Sequence, residues 1–77
     1  MTRYKNLNGT SSVCCYDIQD TYIDVRFQKE HRVYRYSYKK PGIRKVEEMK
    51  RLAQRGYGLN GYIVKFIGSN YEKIYIR

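Results

Sequence analysis

The chain has 77 residues, with 16 Lys and Arg against seven Asp and Glu, and its formal net charge at pH 7 is +9. This length has room for one small domain, and the sequence has neither an apolar run long enough to span a membrane nor a hydrophobic leader. We therefore expect a protein of the cytoplasm, or of the host cytoplasm if a phage encodes it, with no membrane partner.

Residues 1–10 are polar and contain Asn, Gly and Thr, which predicts a flexible N-terminal arm. We expect residues 11–77 to form a single domain. The β-favouring run 13–16, which stops at Asp17, predicts a first short strand, and Gln19 and Asp20 predict a turn after it.

A β-hairpin follows, because apolar and polar residues alternate in 22–28 and again in 32–38. In the first run Ile23, Val25 and Phe27 share one face. In the second run one face carries Tyr34, Tyr36 and Tyr38. The connection has no Asn-Gly or Asp-Gly pair, so we expect a loop of three to five residues.

The clearest helix is Ile43–Arg55, where apolar residues recur every three or four positions and Gly56 provides the C-terminal cap. Its apolar side is predicted to consist of Ile43, Val46, Met49, Leu52 and Ala53. Residues 59–67 follow the same spacing and predict a second short helix, with a strand over 62–67 as the competing interpretation. Residues 71–77 are expected to be extended and to form an edge strand.

These elements predict an α+β fold. We expect a short antiparallel sheet of about three strands, packed by one amphipathic helix and a second short helix, with the C-terminal edge strand in addition.

The ordered elements of residues 11–71 resemble the KTSC family, a short domain found alone in bacteria and phages or at the C-terminus of some lysyl-tRNA synthetases. The resemblance depends on a Tyr-x-Tyr after a hairpin, then a proline, an amphipathic helix and a glycine followed by Asn and Ile. In this chain these are Tyr34 and Tyr36, Pro41, the helix Ile43–Arg55, Gly56, Asn60 and Ile63. The chain departs from the pattern at Lys29-Glu30-His31, where the family has a hairpin glycine, and at Gln54-Arg55, where a serine is frequent. The resemblance implies no defined reaction and favours RNA as a partner.

Positive charge is concentrated in the C-terminal half. Residues 1–38 have six Lys and Arg against four Asp and Glu (+2), and residues 39–77 have ten against three (+7). This imbalance favours a polyanionic partner. Our leading hypothesis is a non-enzymatic module that binds RNA or single-stranded nucleic acid. Its predicted phosphate contacts are Arg26, Arg35, Lys39, Lys40, Arg44, Arg51 and Arg55.

A further candidate is the loop Gly56-Tyr57-Gly58, where backbone N–H groups could hold one phosphate and Tyr57 could stack on a base. Asn60 follows this loop and is more readily explained as a structural hydrogen-bonding residue. The stripe Tyr34, Tyr36 and Tyr38 could also be a stacking platform, but we favour a role in the core because Arg35 and Ser37 occupy the opposite face.

Catalysis and cofactor binding find little support. Cys14, Cys15 and the single His31 provide too few ligands for a structural metal, and the carboxylates are scattered, so we expect no catalytic residues, no metal and no cofactor. Adjacent cysteines make a strained bridge, and we expect reduced thiols.

Two other hypotheses remain open. One is a homo-oligomer that binds a phosphorylated small molecule such as a cyclic nucleotide. The other is an inhibitor or interaction module that docks on an acidic protein.

Overall fold

Each strand of the sheet pairs with the strand that precedes or follows it in the chain, and every pairing is antiparallel. This computed structural model describes residues 1–76. The elements in chain order are β1 (Thr2–Arg3), β2 (Val13–Gln19), β3 (Tyr22–Phe27), β4 (Arg32–Ser37), α1 (Ile43–Arg55), α2 (Leu59–Tyr62), a π-helical segment (Ile63–Ile67) and β5 (Lys73–Ile76).

The α+β class is as expected, but the expected number of about three strands is wrong, because the sheet has five. The additional strand is β1, which lies within the segment 1–10 that we interpreted as an arm. It has two residues and is held by backbone pairing of Thr2 with Tyr16 and of Arg3 with Cys15, so no apolar alternation marks it in the sequence. β5 is the expected edge strand, and residue 77 lies outside the described residues.

β2 is longer than predicted, since it continues through Asp17 to Gln19. Asp17 pairs with Asp24 on the face of the sheet opposite the core, where a half-exposed carboxylate does not stop a strand. The turn to β3 therefore consists of Asp20 and Thr21, one residue later than expected. The β3–β4 hairpin follows the predicted alternation, and its loop of residues 28–31 is within the predicted length.

The core lies between one face of the sheet and the helices. Ile23 and Val25 of β3 are fully buried there, and they meet the apolar side of α1 and the residues Leu59, Ile63 and Ile67 of the second helical segment. The α1 residues that are buried are Val46, Met49, Leu52 and Ala53. Ile43 was predicted to join them and instead is 56% exposed, because it is the first residue of the helix.

The stripe Tyr34, Tyr36 and Tyr38 packs on this core, in agreement with the interpretation that we favoured. Tyr36 is buried, and burial raises the pKa of its hydroxyl. Tyr34 is half-buried and makes an edge-to-face contact with Tyr71, with ring centroids 5.1 Å apart. These rings therefore contribute to the packing of the core.

The N-terminal segment crosses to the junction between α1 and α2. The buried Tyr4 accepts a hydrogen bond on its hydroxyl from the N–H of Leu59 at 3.2 Å, and the N–H of Leu7 donates to the carbonyl of Gly56 at 2.8 Å. These two bonds join the start of the chain to a junction about 50 residues later.

Residues 59–67 are helical, as we predicted, but the helix changes type within them. α2 is an α-helical turn, and the segment Ile63–Ile67 is π-helical, closed by a bond of 2.7 Å from the N–H of Gly68 to the carbonyl of Ile63. The wider turn keeps Leu59, Ile63 and Ile67 in the core and leaves Phe66 outside, 57% exposed.

Gly56 ends α1 in the left-handed conformation (φ +77°), and a β-carbon at this position would lie 2.6 Å from Cβ of Lys5. We expect Gly56→Ala to lower the free energy of unfolding by about 2 kcal/mol or more, through backbone strain and this clash together. Gly9→Ala is the matched control, because Gly9 has φ +76° and a β-carbon there would have no atom within 4 Å. Its cost should be the backbone strain alone, about 1 kcal/mol. Urea unfolding followed by circular dichroism measures both, and equal losses would show that the contact with Lys5 is unimportant.

Candidate anion-binding surfaces

Arg35 was predicted to contact phosphate, but in the structure it neutralises a buried carboxylate. Its Nε and Nη2 donate to the two carboxylate oxygens of Asp24 at 2.8 and 2.9 Å, and Asp24 is 2% exposed. The guanidinium lies 3.9 Å from the ring centroid of Tyr22 and 5.3 Å from that of Tyr75. Hydrogen bonding to Asp24 raises the pKa of Arg35 further above its usual range. The two donors that would grip a phosphate side-on are thus used within the protein, and the charge is paired with Asp24.

The hydroxyl of Tyr75 also donates to the carboxylate of Asp24. Burial, followed by this hydrogen bond, raises the pKa of Tyr75. The cluster therefore joins β3, β4 and β5 on the face of the sheet opposite the helices.

Arg26 is also occupied within the protein. Its Nη1 donates to the carbonyl of Glu30 at 3.0 Å and its Nη2 to the Sγ of Cys14 at 3.3 Å. On the outer face of the hairpin the charge of Arg35 is therefore balanced by Asp24, whereas Arg26 keeps its charge but has two of its donors used within the protein.

On α1, Arg51 forms an exposed bidentate pair with Glu48, at 2.9 and 2.6 Å, and this hydrogen bonding lowers the pKa of Glu48. Its charge is largely balanced. The predicted contacts Lys39, Lys40 and Arg44 are exposed and have no ion pair with residues 1–76.

Arg55 is exposed and folds over the loop that follows α1. Its guanidinium donates to the carbonyl of Tyr57 at 3.3 Å and lies 4.7 Å from the centroid of the Tyr57 ring. Tyr57 itself is 45% exposed, as its proposed stacking role requires. These two side chains form one cationic and aromatic unit at the end of the helix.

The N–H of Gly56 in the loop Gly56-Tyr57-Gly58 is used within the protein, since it donates to the carbonyls of Leu52 and Ala53. The N–H of Leu59, the first after the loop, donates to the hydroxyl of Tyr4. Asn60 accepts a hydrogen bond from the hydroxyl of Ser12 at 2.9 Å, which agrees with a structural role for its side chain. The use of the N–H groups of Tyr57 and Gly58 to hold a phosphate stays a prediction.

An open groove of about 620 Å³ lies between the exposed side of α1 and the second helical segment, and we call it the helix groove. Arg51 and Arg55 line one wall, and Val64, Lys65 and Phe66 line the other. Phe66 contacts Tyr62, with ring centroids 5.1 Å apart. The groove combines exposed rings with cations, and two of the predicted contacts, Arg51 and Arg55, meet there.

The sequence did not identify Val64, Lys65 and Phe66 as candidate binding residues. A regular α-helix over 59–67 would place Phe66 with Ile63 and Ile67 on the buried side. The π-helical turn, which the spacing of apolar residues does not encode, turns it outward.

A second groove, of about 610 Å³, lies beside β1 and the β3–β4 loop, and we call it the N-terminal groove. Three cations line it, Arg3, Lys5 and Lys29, and none of them was among the predicted contacts. No carboxylate in the described residues 1–76 lines this groove. It is the most concentrated positive site near the sheet.

Comparisons of the chain with protein-family models, with curated proteins and with solved structures give no match. The resemblance to the KTSC family therefore stays a prediction. No helix within residues 1–76 is long and apolar enough to cross a membrane.

The pairing of Asp24 with Arg35 predicts a large stability effect. We expect Arg35→Gln to lower the free energy of unfolding by about 3 kcal/mol, because it leaves the buried carboxylate of Asp24 without its cation. Arg51→Gln removes the same charge from an exposed pair and should have little effect. Chemical denaturation of both variants checks this, and an equally small effect for Arg35→Gln would contradict the structural role.

Proposed function

We propose that the protein is a non-enzymatic module that binds RNA or other single-stranded nucleic acid, and that the helix groove is its contact surface. The observation that supports this most is the exposure of Phe66, at 57%, between Lys65 and the arginines of α1. Val64 beside it is 72% exposed, and an exposed apolar patch rimmed by charged residues is typical of a binding site.

The aromatic residues of this surface suit unpaired bases. Phe66 and Tyr62 contact each other at the groove, and Tyr57 lies under the guanidinium of Arg55 at the end of α1. Every base has a π face, so stacking on such rings tolerates many sequences and contributes about 1–3 kcal/mol per base. The surface is therefore suited to a single strand more than to a duplex, whose bases are already stacked.

The cations suit the phosphates of the same strand. Arg55 and Lys65 lie at the groove, and Arg44 occupies the same side of α1 two to three turns earlier. Lys39 and Lys40 precede the helix. A strand that stacks at Phe66 and follows α1 could place its phosphates along this row, in which case its affinity would fall with salt concentration.

The resemblance to the KTSC family, with its occurrence beside a tRNA synthetase, favours RNA among the polyanions. This part of the proposal is an analogy between families, and the groove chemistry stands without it.

We expect Phe66→Ala to weaken binding of a fluorescent 12-nucleotide single-stranded RNA by about one order of magnitude, which corresponds to the loss of one stacked base. Lys65→Gln should reduce the slope of log affinity against log salt by about 0.7, because one phosphate contact is lost. Fluorescence anisotropy at several salt concentrations measures both quantities.

The matched controls change similar groups away from the groove. Leu7→Ala removes an apolar side chain that is 67% exposed, and Lys73→Gln removes one charge from the edge strand β5. Both should affect binding less than the groove variants.

No binding at low salt would exclude the nucleic-acid function, and binding that is equally weakened by control and groove variants would exclude the helix groove as its site. In that second case docking on an acidic protein becomes the better explanation of the exposed Phe66.

The N-terminal groove supports a second candidate function, the capture of a phosphorylated small molecule. Arg3, Lys5 and Lys29 converge on one cavity without a carboxylate among its lining residues in the described part of the chain. Its volume, about 610 Å³, is in the range of sites for ligands of nucleotide size.

We expect 3′,5′-cyclic AMP or AMP to raise the thermal unfolding temperature if this second function is correct. Lys5→Gln should remove the shift, since one of three converging charges is lost, and Lys73→Gln should preserve it. Differential scanning fluorimetry measures the shift, and native mass spectrometry shows whether binding accompanies dimer formation. The absence of any shift at millimolar nucleotide would exclude these two ligands.

A further inference from the structure

The two adjacent cysteines of β2 lie on the same side of the strand. Neighbouring side chains in a regular strand point to opposite faces, but the register of β2 with β3 shifts between Val13 and Cys15. Cys14 is therefore the additional residue of a β-bulge. As a result its Sγ lies 2.9 Å from the Sγ of Cys15, and both thiols are free.

The pair is accessible on two sides. Cys14 is half-buried and lines the N-terminal groove together with Lys5 and Lys29. Cys15 is buried for most of its surface, yet it borders a second cavity of about 400 Å³ with Arg26 and His31. Reagents of small size can therefore approach the sulfurs without unfolding of the sheet.

The difference in exposure favours reaction at Cys14. Cys14 is half-buried and its Sγ accepts a hydrogen bond from the guanidinium of Arg26, whereas Cys15 is 6% exposed. The pKa of Cys15 is raised, first by burial and then by its hydrogen bond to Cys14. Cys14 is thus the sulfur that attacks first, and Cys15 is held next to it as the second.

The geometry restricts what two such sulfurs can bind. No group of three or more His, Cys, Asp and Glu residues is placed to hold a metal ion within the part of the chain that the structure describes, so a tetrahedral zinc site is not formed. A linear two-coordinate metal would need the sulfurs on opposite sides of it. Two sulfurs in contact instead suit a pyramidal atom that forms two covalent bonds to sulfur at a small angle, and trivalent arsenic has this geometry.

We propose that Cys14 and Cys15 form a dithiol site that chelates trivalent organic arsenicals. In the reaction with hydrated phenylarsine oxide, two S–H bonds and two As–OH bonds break, two As–S bonds form, and two water molecules leave. Arsenic remains trivalent and neither sulfur is oxidised. The site is separate from the helix groove, shares Cys14 with the lining of the N-terminal groove, and depends on the bulge that brings the two sulfurs together.

Phenylarsine oxide added to the full-length protein tests the proposal by intact-mass spectrometry. We expect one phenylarsenic group per chain, retained in a large excess of glutathione and removed by 2,3-dimercaptopropanol. A single protein thiol would lose the reagent to the excess of glutathione. An adduct that is retained therefore shows that both sulfurs bind the arsenic. Titration of the free thiols with a chromogenic disulfide gives an independent measure. Both thiols should become unreactive when one phenylarsenic group is bound per chain.

Cys14→Ser is the principal variant, because it removes the less buried sulfur, and it should lose the retained adduct while its circular dichroism spectrum is unchanged. Cys15→Ala should lose it as well, and it serves as the second variant because Ala suits a buried position. Absence of a retained adduct on the wild-type protein would overturn the proposal, and so would retention in Cys14→Ser or in a folded Cys15→Ala.

Discussion

The outer face of the sheet is organised by the need to neutralise one buried carboxylate. Asp24 lies in the central strand β3 with 2% of its surface exposed, next to a second acidic residue, Asp17, on β2. An unpaired charge at such a position is strongly unfavourable. Arg35 on β4 and Tyr75 on β5 satisfy it, and the ring of Tyr22 covers the guanidinium. The hydrogen bond from Tyr75 to Asp24 thus fixes the edge strand β5 to the centre of the sheet.

The positive charges of the protein fall into two groups. Arg35 and Arg26 bind groups within the protein, and Arg51 is balanced by Glu48. Other cations that form no ion pair with residues 1–76 lie on the approach to α1, at the helix groove, at the N-terminal groove and, as Lys73, on the edge strand β5. A count of Lys and Arg therefore overstates the charge that the sheet can offer to a ligand, and the proposals above depend on where the free cations lie.

The elements that can be predicted from the sequence are those whose apolar residues recur at a regular spacing. Alternation identified the β3–β4 hairpin, and the three- and four-residue spacing with Gly56 identified α1 with both of its ends. β1 was missed because two residues held by backbone pairing show no alternation. The helical nature of 59–67 was predicted, but the outward position of Phe66 was not, because it depends on a change in the number of residues per turn.

The candidate sites were less predictable than the fold, since they depend on contacts between residues that are distant in sequence or on local irregularity. The pairing of Arg35 with Asp24 joins neighbouring strands, and no local pattern distinguishes it from an exposed arginine. The convergence of Lys29 with the N-terminal Arg3 and Lys5 needs the pairing of β1. The contact of the two thiols depends on a bulge, and the sequence shows only that the cysteines are adjacent.

The hydrogen bond between Tyr4 and Leu59 has a consequence for the order in which the chain folds. The β2–β3 and β3–β4 hairpins close short loops, which is rapid and needs no distant partner, whereas β5 joins β4 only after the helical segments between them. The hydroxyl of Tyr4, in contrast, can accept its hydrogen bond only from Leu59, which lies 55 positions later in the chain. During synthesis on a ribosome, the first strand would therefore emerge long before its partner in the helical junction. The contact between the N-terminal segment and the helical junction would then form only after β2, β3, β4 and α1 have been synthesised.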